Sequence, residues 1–248
     1  LHYQPQVSPL DQQVVGCEAL IRWMKPHGEM VAPDVFIPLA EYTGLIVEIG
    51  DWVFAEACQQ IVRWDKEGLP HFRVGINISA AQFREPDFVS KIAGVIESTG
   101  VSPARLELEI TESVAMEDPE SVARQLRELK SLGLRVAVDD FGCGFSSLGS
   151  LNRLPFDRVK IDRAFVRELT PETSQDCIAR MIVKLAKSLG LEVTAEGVET
   201  EVQARLLGEM GCKEMQGFLY GRPMNADALM GWITARSLPL GGFPGVDD

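Results

Sequence analysis

Long apolar stretches are missing from this sequence. No run approaches the ~20 residues that a bilayer-spanning helix needs, so no segment reads as a transmembrane helix. Basic excess is missing too. The 24 Lys and Arg residues stand against 36 Asp and Glu, a net charge of −12, which disfavours nonspecific binding to nucleic acid or to a membrane surface. Cysteine is sparse and unpatterned: Cys17, Cys58, Cys143, Cys177 and Cys212 are odd in number and never in CxxC spacing. That argues against a disulfide framework or a zinc site and for a reducing, cytoplasmic compartment. No GxGxxG follows the first strand, which removes the main support for an open dinucleotide-binding sheet. An initial Met is also absent, so the chain from Leu1 reads as part of a longer protein, with any targeting segment elsewhere.

What is present is a repeated alternation. Strands are expected at His2–Val7, 14–23, 72–78, 106–110, 135–138, 157–161, Glu192–Ala195 and 213–215. Helices are expected at 33–42, Leu45–Lys66, 87–98, 119–132, 147–154, 174–189, 200–210 and 226–235. The second of these carries Val53, Ala57, Ile61 and Trp64 near helical spacing. The first two strands are joined by the turn Ser8-Pro9-Leu10-Asp11 and read as an antiparallel hairpin, whereas the other six alternate with helices and read as parallel. Eight strands in 248 residues point to a closed α/β barrel, since such barrels need about 250 residues. Residues 1–238 are read as one barrel and 239–248, rich in Gly and Pro, as a flexible tail.

The polar residues near the strand ends carry the chemistry. The apolar run Val136-Ala137-Val138 stops at Asp139-Asp140, and the loop Gly142-Cys143-Gly144-Phe145-Ser146-Ser147 follows. Other strands bring Glu18, Asn77, Glu109, Lys160, Glu196 and Gln216 to the same level. Singly, each reads as a helix cap or a solvated group. Glu18 and Arg22, four apart on one expected strand, also read as a simple inward ion pair. Together, five carboxylates at one barrel mouth repel one another unless divalent cations bind among them. All-oxygen ligands with one Asn suit Mg²⁺ or Mn²⁺ better than zinc, and His2, His27 and His71 lie outside the set. An Asp bridging two cations would serve a two-metal hydrolysis with metal-bound hydroxide as nucleophile, and Lys160 would add a point charge toward a phosphate or the attacking water.

Over residues 2 to 236 the chain resembles the EAL domain of bacterial cyclic di-GMP phosphodiesterases. The residues that carry the resemblance are Tyr3-Gln4-Pro5, Glu18-Ala19-Leu20-Ile21-Arg22-Trp23, Asn77-Ile78-Ser79 and Glu107-Leu108-Glu109-Ile110-Thr111-Glu112-Ser113. Asp139-Asp140-Phe141-Gly142, Lys160-Ile161-Asp162, Ala195-Glu196-Gly197-Val198-Glu199-Thr200 and Gln216-Gly217-Phe218 continue it in order. The resemblance implies a TIM-like (β/α)8 barrel with an antiparallel first strand, and hydrolysis of cyclic di-GMP to linear pGpG. It implies that Glu18, Asn77, Glu109 and Asp139 are metal ligands and that Asp140 and Glu196 belong to a second metal, with Glu196 also in the general-base role. It gives Lys160 a place beside the attacking water, and Gln4, Leu20, Arg22 and Gln216 places against the substrate. Glu112 matches the anchor of the loop after the fifth strand, and Glu199 a supporting carboxylate.

Cys143 and Phe145 depart from the Thr and Tyr usual in that loop, which removes two hydroxyls and leaves every metal-matching position intact. The competing reading is a non-enzymatic cyclic di-GMP receptor or interaction module, since the family includes such members. They usually lose the EAL glutamate, a metal ligand or loop residues, and none is lost here. An aldolase- or enolase-like barrel conflicts with the motif set. The resemblance further implies a homodimer through the surface near that loop, an upstream sensory or diguanylate-cyclase-type domain, and no direct nucleic-acid or membrane contact. A cytoplasmic location is expected, including as the cytoplasmic part of a membrane-attached protein.

Overall fold

A computed structural model describes residues 1–69, 71–142, 153–175 and 177–237. Eight strands close into a barrel: β1 (His2–Val7), β2 (Val14–Leu20), β5 (Arg73–Ile78), β6 (Leu106–Thr111), β7 (Arg135–Phe141), β8 (Arg158–Ile161), β9 (Glu192–Ala195) and β10 (Glu214–Gln216). Strand β1 pairs antiparallel with both β2 and β10, and every other neighbouring pair in the barrel is parallel. The fold is therefore the TIM-like barrel with an antiparallel first strand that the sequence predicts.

Alternation within each strand makes this barrel. Val74, Ile76 and Ile78 on β5, Leu106, Leu108 and Ile110 on β6, and Val136 and Val138 on β7 all join the apolar core. The residues between them turn the other way, as successive strand residues must. Helix Leu45–Lys66 buries Val53, Ala57, Ile61 and Trp64 and keeps Arg63 and Lys66 in its last turn, where cations favour the helix C-terminus. Thr200 and Gln203 form a reciprocal capping box at helix Glu201–Met210.

Several boundaries differ from expectation. Strand β2 stops at Leu20, and Trp23–Met24 (β3) pairs instead with Met30–Val31 (β4) in a separate two-stranded sheet. Gly28, at φ 84°, makes the tight turn between them. Arg22 consequently lies outside β2, so its expected strand alignment with Glu18 does not occur. Strand β7 runs three residues beyond the expected stop and so includes Asp139 and Asp140. Short helices at Ala80–Phe83, Glu112–Glu117 and Arg163–Arg167 follow strand ends where none was expected. The predicted helix 147–154 lies largely outside the described residues, and the tail 239–248 wholly outside.

The barrel interior is polar in two layers. The lower layer, at the N-terminal ends of the parallel strands, sets Arg73, Arg135 and Arg158 against Glu107, Glu192 and Glu214. Arg158, 1% exposed, reaches Glu107 at 3.1 Å, Glu192 at 2.5 Å and Glu214 at 2.7 Å, and donates to Thr194 Oγ1 at 2.9 Å. Three guanidiniums against three carboxylates leave this floor neutral. Removing one member strands the others as buried charges, and breaking such a network costs about 3–5 kcal/mol. We therefore expect Arg158→Met to lower the unfolding free energy in urea by about that amount. A loss below about 1 kcal/mol, the value of an exposed pair, would show that the floor does not hold the barrel.

Candidate active site

Two residues above the floor on β6, β8 and β10, and four above it on β5, β7 and β9, a second polar layer forms the barrel mouth. At its centre is the ammonium of Lys160, 1% exposed. It bonds to Glu109 and lies 2.6 Å from Glu196 Oε1, 3.3 Å from Asp139 Oδ1 and 3.7 Å from Glu18 Oε2. Four carboxylates around one cation leave this layer strongly negative, unlike the neutral floor. The proton affinities follow. Lys160 is held charged, well above its ordinary range, because the attraction of Asp139, Glu109, Glu18 and Glu196 overcomes its burial. Burial pushes Glu109 well up, with Lys160 opposing and the other three carboxylates adding. Burial likewise raises Glu196 to about 8, against the pull of Lys160.

The other polar residues orient these groups. Glu18 accepts from Asn77 Nδ2 at 2.6 Å on one oxygen and from Gln216 Nε2 at 2.5 Å on the other. Gln216 Nε2 also donates to Gln4 Oε1 at 3.1 Å, and Gln4 Nε2 donates to the Gly221 carbonyl at 3.0 Å. Glu109 fits because Gly75 faces it: a Cβ there would lie 2.1 Å from Glu109 Oε1.

At the end of β7 the pairing with β8 shifts register between Val138 and Phe141, and Asp140 adopts φ 53°. A non-glycine residue in that left-handed region is strained. The bulge separates adjacent carboxylates, sending Asp139 into the cluster and Asp140 to the exposed rim beside Asp162. Asp140 is exposed as a residue, yet lost hydration at that crowded rim, then repulsion from Asp139 and Asp162, raise it to about 6. The following loop is held at its start by Glu112, which is buried and accepts from the Gly142 N–H at 2.8 Å. Cys143 and Phe145 lie outside the described residues.

Leu20 and Arg22 are not drawn into the cluster. They line an adjoining cavity of ≈ 350 Å³ together with Ile21, Ile46, Asn77 and Gln82. Arg22 Nη1 donates to the Ile21 carbonyl at 2.8 Å, so the expected Glu18–Arg22 pair gives way to Lys160 as the cation nearest Glu18. Glu199 is exposed; its backbone N–H donates to Gln203 Oε1 at 2.9 Å, and its carboxylate meets no described partner. Gln6, Gly75 and Asp162 were missed as functional positions. The spacing held a signal for Gln6, since it shares the Gln4 face of β1 at a period of two.

Among the described residues, no three His, Cys, Asp or Glu groups gather around one point as a ready coordination shell, because the carboxylates are gathered on Lys160. Their chemistry nevertheless fits hard cations. Glu109 Oε1 and Glu196 Oε1 are buried without a hydrogen-bond partner, the latter close to Lys160 but poorly angled, and all the donors are oxygens.

A sequence profile of the EAL domain matches residues 1–223. The chain is 45% identical over 235 residues to a signaling protein of Caulobacter vibrioides, covering 95% of this chain and 29% of that one. It is 43% identical over 234 residues to the bifunctional diguanylate cyclase/cyclic di-GMP phosphodiesterase MucR of Pseudomonas aeruginosa, covering 94% and 34%. It thus spans about a third of the length of these curated relatives. Among solved structures, the PaMucR phosphodiesterase in its c-di-GMP complex superposes with TM-score 0.88 at 43% identity, covering 92% of this chain and 93% of that one. The EAL domain of Mycobacterium smegmatis DcpA gives TM-score 0.81 at 35% identity, covering 96% and 98%.

The raised Glu196 has a measurable consequence. A carboxyl whose affinity for protons is higher folded than unfolded stabilises the fold fully below its unfolded value, and that contribution is lost as pH rises through the folded value. For Glu196 the window runs from 4.5 to about 8. Without divalent cations, the stability of wild type relative to Glu196→Gln should therefore fall between pH 5 and pH 8. Thermal melts across that range check the sign; a difference that is flat or rises would contradict it.

Proposed function

Since the chain belongs to the EAL domain family, we propose that it hydrolyses cyclic di-GMP to linear pGpG with the help of Mg²⁺ or Mn²⁺. The observation that carries this reading is the barrel mouth, where four carboxylates share one lysine. A relative of 43% identity that is named a cyclic di-GMP phosphodiesterase supports the choice of substrate. The receptor alternative has little support, because no carboxylate of the motif set is missing.

Glu18, Asn77, Glu109 and Asp139 would hold one cation, and Asp140 and Glu196 a second. When bound, the cations supply charge neutralisation and Lewis-acid activation of water and phosphate. The remaining chemistry is the chain's own. The Lys160 ammonium, fixed between Glu109 and Glu196, places a positive charge where the phosphate and the attacking water must meet. Glu196, once its own proton has been displaced, would take the proton from that water. Water adds to phosphorus, the P–O3′ bond breaks, and the departing O3′ takes up a proton, which leaves a 5′-phosphate on pGpG. Arg22 and the apolar wall of Leu20 and Ile21 offer the adjoining cavity to a nucleobase or sugar. Glu112 keeps Asp139 and Asp140 in place by holding the first turn of their loop.

The activity is proposed to belong to a larger signalling protein, in keeping with relatives about three times as long. Dimerisation through the surface near the loop after β7 would let other domains act on Asp140.

Incubation with cyclic di-GMP and Mg²⁺ or Mn²⁺, with products separated by chromatography, tests the reading. We expect pGpG as first product and inhibition by Ca²⁺, whose longer and looser bonds misplace reacting groups. Glu18→Ala should abolish turnover while the metal-free melting temperature holds or rises, since one inward charge is removed. Robust turnover in excess chelator would sink the reading. Glu112→Gln should weaken Mn²⁺ binding and turnover together, by about 10–100-fold, although Glu112 touches no ligand; wild-type values for both would remove its anchoring role.

A further inference from the structure

A glutamine amide has two ends of opposite hydrogen-bonding sense and nearly equal size. A carboxylate accepts only and so calls for the NH2 end, and the other neighbours decide whether that orientation is supported or opposed. In this barrel the floor layer locks Gln216 into that orientation. Arg73 can only donate, and its Nη2 donates to Gln6 Oε1 at 3.3 Å. That turns the Gln6 NH2 toward Gln216, whose Oε1 it meets at 2.8 Å. The Gln216 NH2 is thereby aimed at Glu18 Oε2 and Gln4 Oε1. From the other side, the Gly221 carbonyl can only accept, so it holds the Gln4 NH2 and leaves the Gln4 oxygen facing Gln216. A flipped Gln216 would set oxygen against oxygen at Gln4 and Glu18, and NH2 against NH2 at Gln6. All three amides are buried, so water cannot relieve that mismatch. Gly16 keeps the joint open, since a Cβ there would fall 2.5 Å from Gln6 Oε1.

We propose that Arg73 and Gln6 are positioning residues that set the polarity of Gln216, and through it the orientation of the Glu18 carboxylate at the mouth. The proposal rests on the reading of that mouth as the hydrolytic site. The Gln6 side chain hydrogen-bonds to Gln216 and Arg73, and it acts by presenting a donor to Gln216.

Gln6→Met keeps the length of the side chain and removes both polar ends. Gln6→Glu keeps an acceptor for Arg73 and removes the donor for Gln216. Both should lower turnover of cyclic di-GMP by about 10-fold or more, and Gln6→Met should have no further effect in a Gln216→Met background. A space-filling Gln6 predicts instead the same loss in both backgrounds, following the melting temperature. The second readout is the Gln216 side-chain NH2 signal in a ¹⁵N-correlated NMR spectrum of the metal-free protein, assigned by its loss in Gln216→Met. It should move in Gln6→Met and in Gln6→Glu. An unmoved signal, or equal losses of turnover in the two backgrounds, would overturn the proposal. A wild type without turnover would remove the hydrolase reading, while the NMR result would still decide whether Gln6 orients Gln216.

Discussion

The ammonium of Lys160 is the interaction on which the upper half of this barrel depends. Four carboxylates within 4 Å of one buried nitrogen would otherwise repel one another in a region with little water. The floor has no such imbalance, because Arg73, Arg135 and Arg158 match Glu107, Glu192 and Glu214. One end of the barrel is thus a closed electrostatic structure, and the other is left with more negative charge than its single lysine can neutralise. Burial first, and repulsion among these carboxylates second, raise the proton affinity of Glu109, Glu196 and Asp140. Under the proposed function, the excess negative charge would draw cations to the mouth, and through them an anionic phosphodiester, in a chain whose net charge is −12.

The two layers are connected by strand geometry. A period of two places Glu107 below Glu109, Arg158 below Lys160, Thr194 below Glu196 and Glu214 below Gln216. On antiparallel β1 the same rule runs in reverse and places Gln6 below Gln4. Glu109, Lys160 and Gln216 therefore each stand directly on a charged floor residue of their own strand, while Asn77, Asp139 and Glu196 stand four residues beyond Arg73, Arg135 and Glu192. Rigid strands carry the chemistry, as befits groups that must keep their geometry under mutual repulsion. The exception is the end of β7, where strained Asp140 and the Glu112–Gly142 hydrogen bond introduce the loop.

Much of this was legible in the sequence. Strand–helix alternation showed the barrel, and charged residues ending several apolar strands pointed to the mouth, because capping accounts for any one of them but not for five carboxylates at one level. The antiparallel start was visible in the turn at Ser8 to Asp11. The floor was harder to see. Arg73 and Arg158 begin their strands, where a charge reads as a solvated end, and only closure of the barrel turns them inward. Arg22 was misplaced for a related reason: continuous β-type residues hid the stop at Leu20 and the separate hairpin from Trp23 to Val31. The bulge at Asp140 depends on the pairing of β7 with β8, a contact that a local pattern does not encode.

The central claim is that protons occupy the excess negative charge of the mouth until divalent cations replace them. Calorimetric titration of Mn²⁺ at pH 7, in buffers of different ionisation enthalpy, measures the protons released on binding. The account predicts net release by the wild type and a smaller release by Glu196→Gln. Binding of Mn²⁺ without proton release would contradict it.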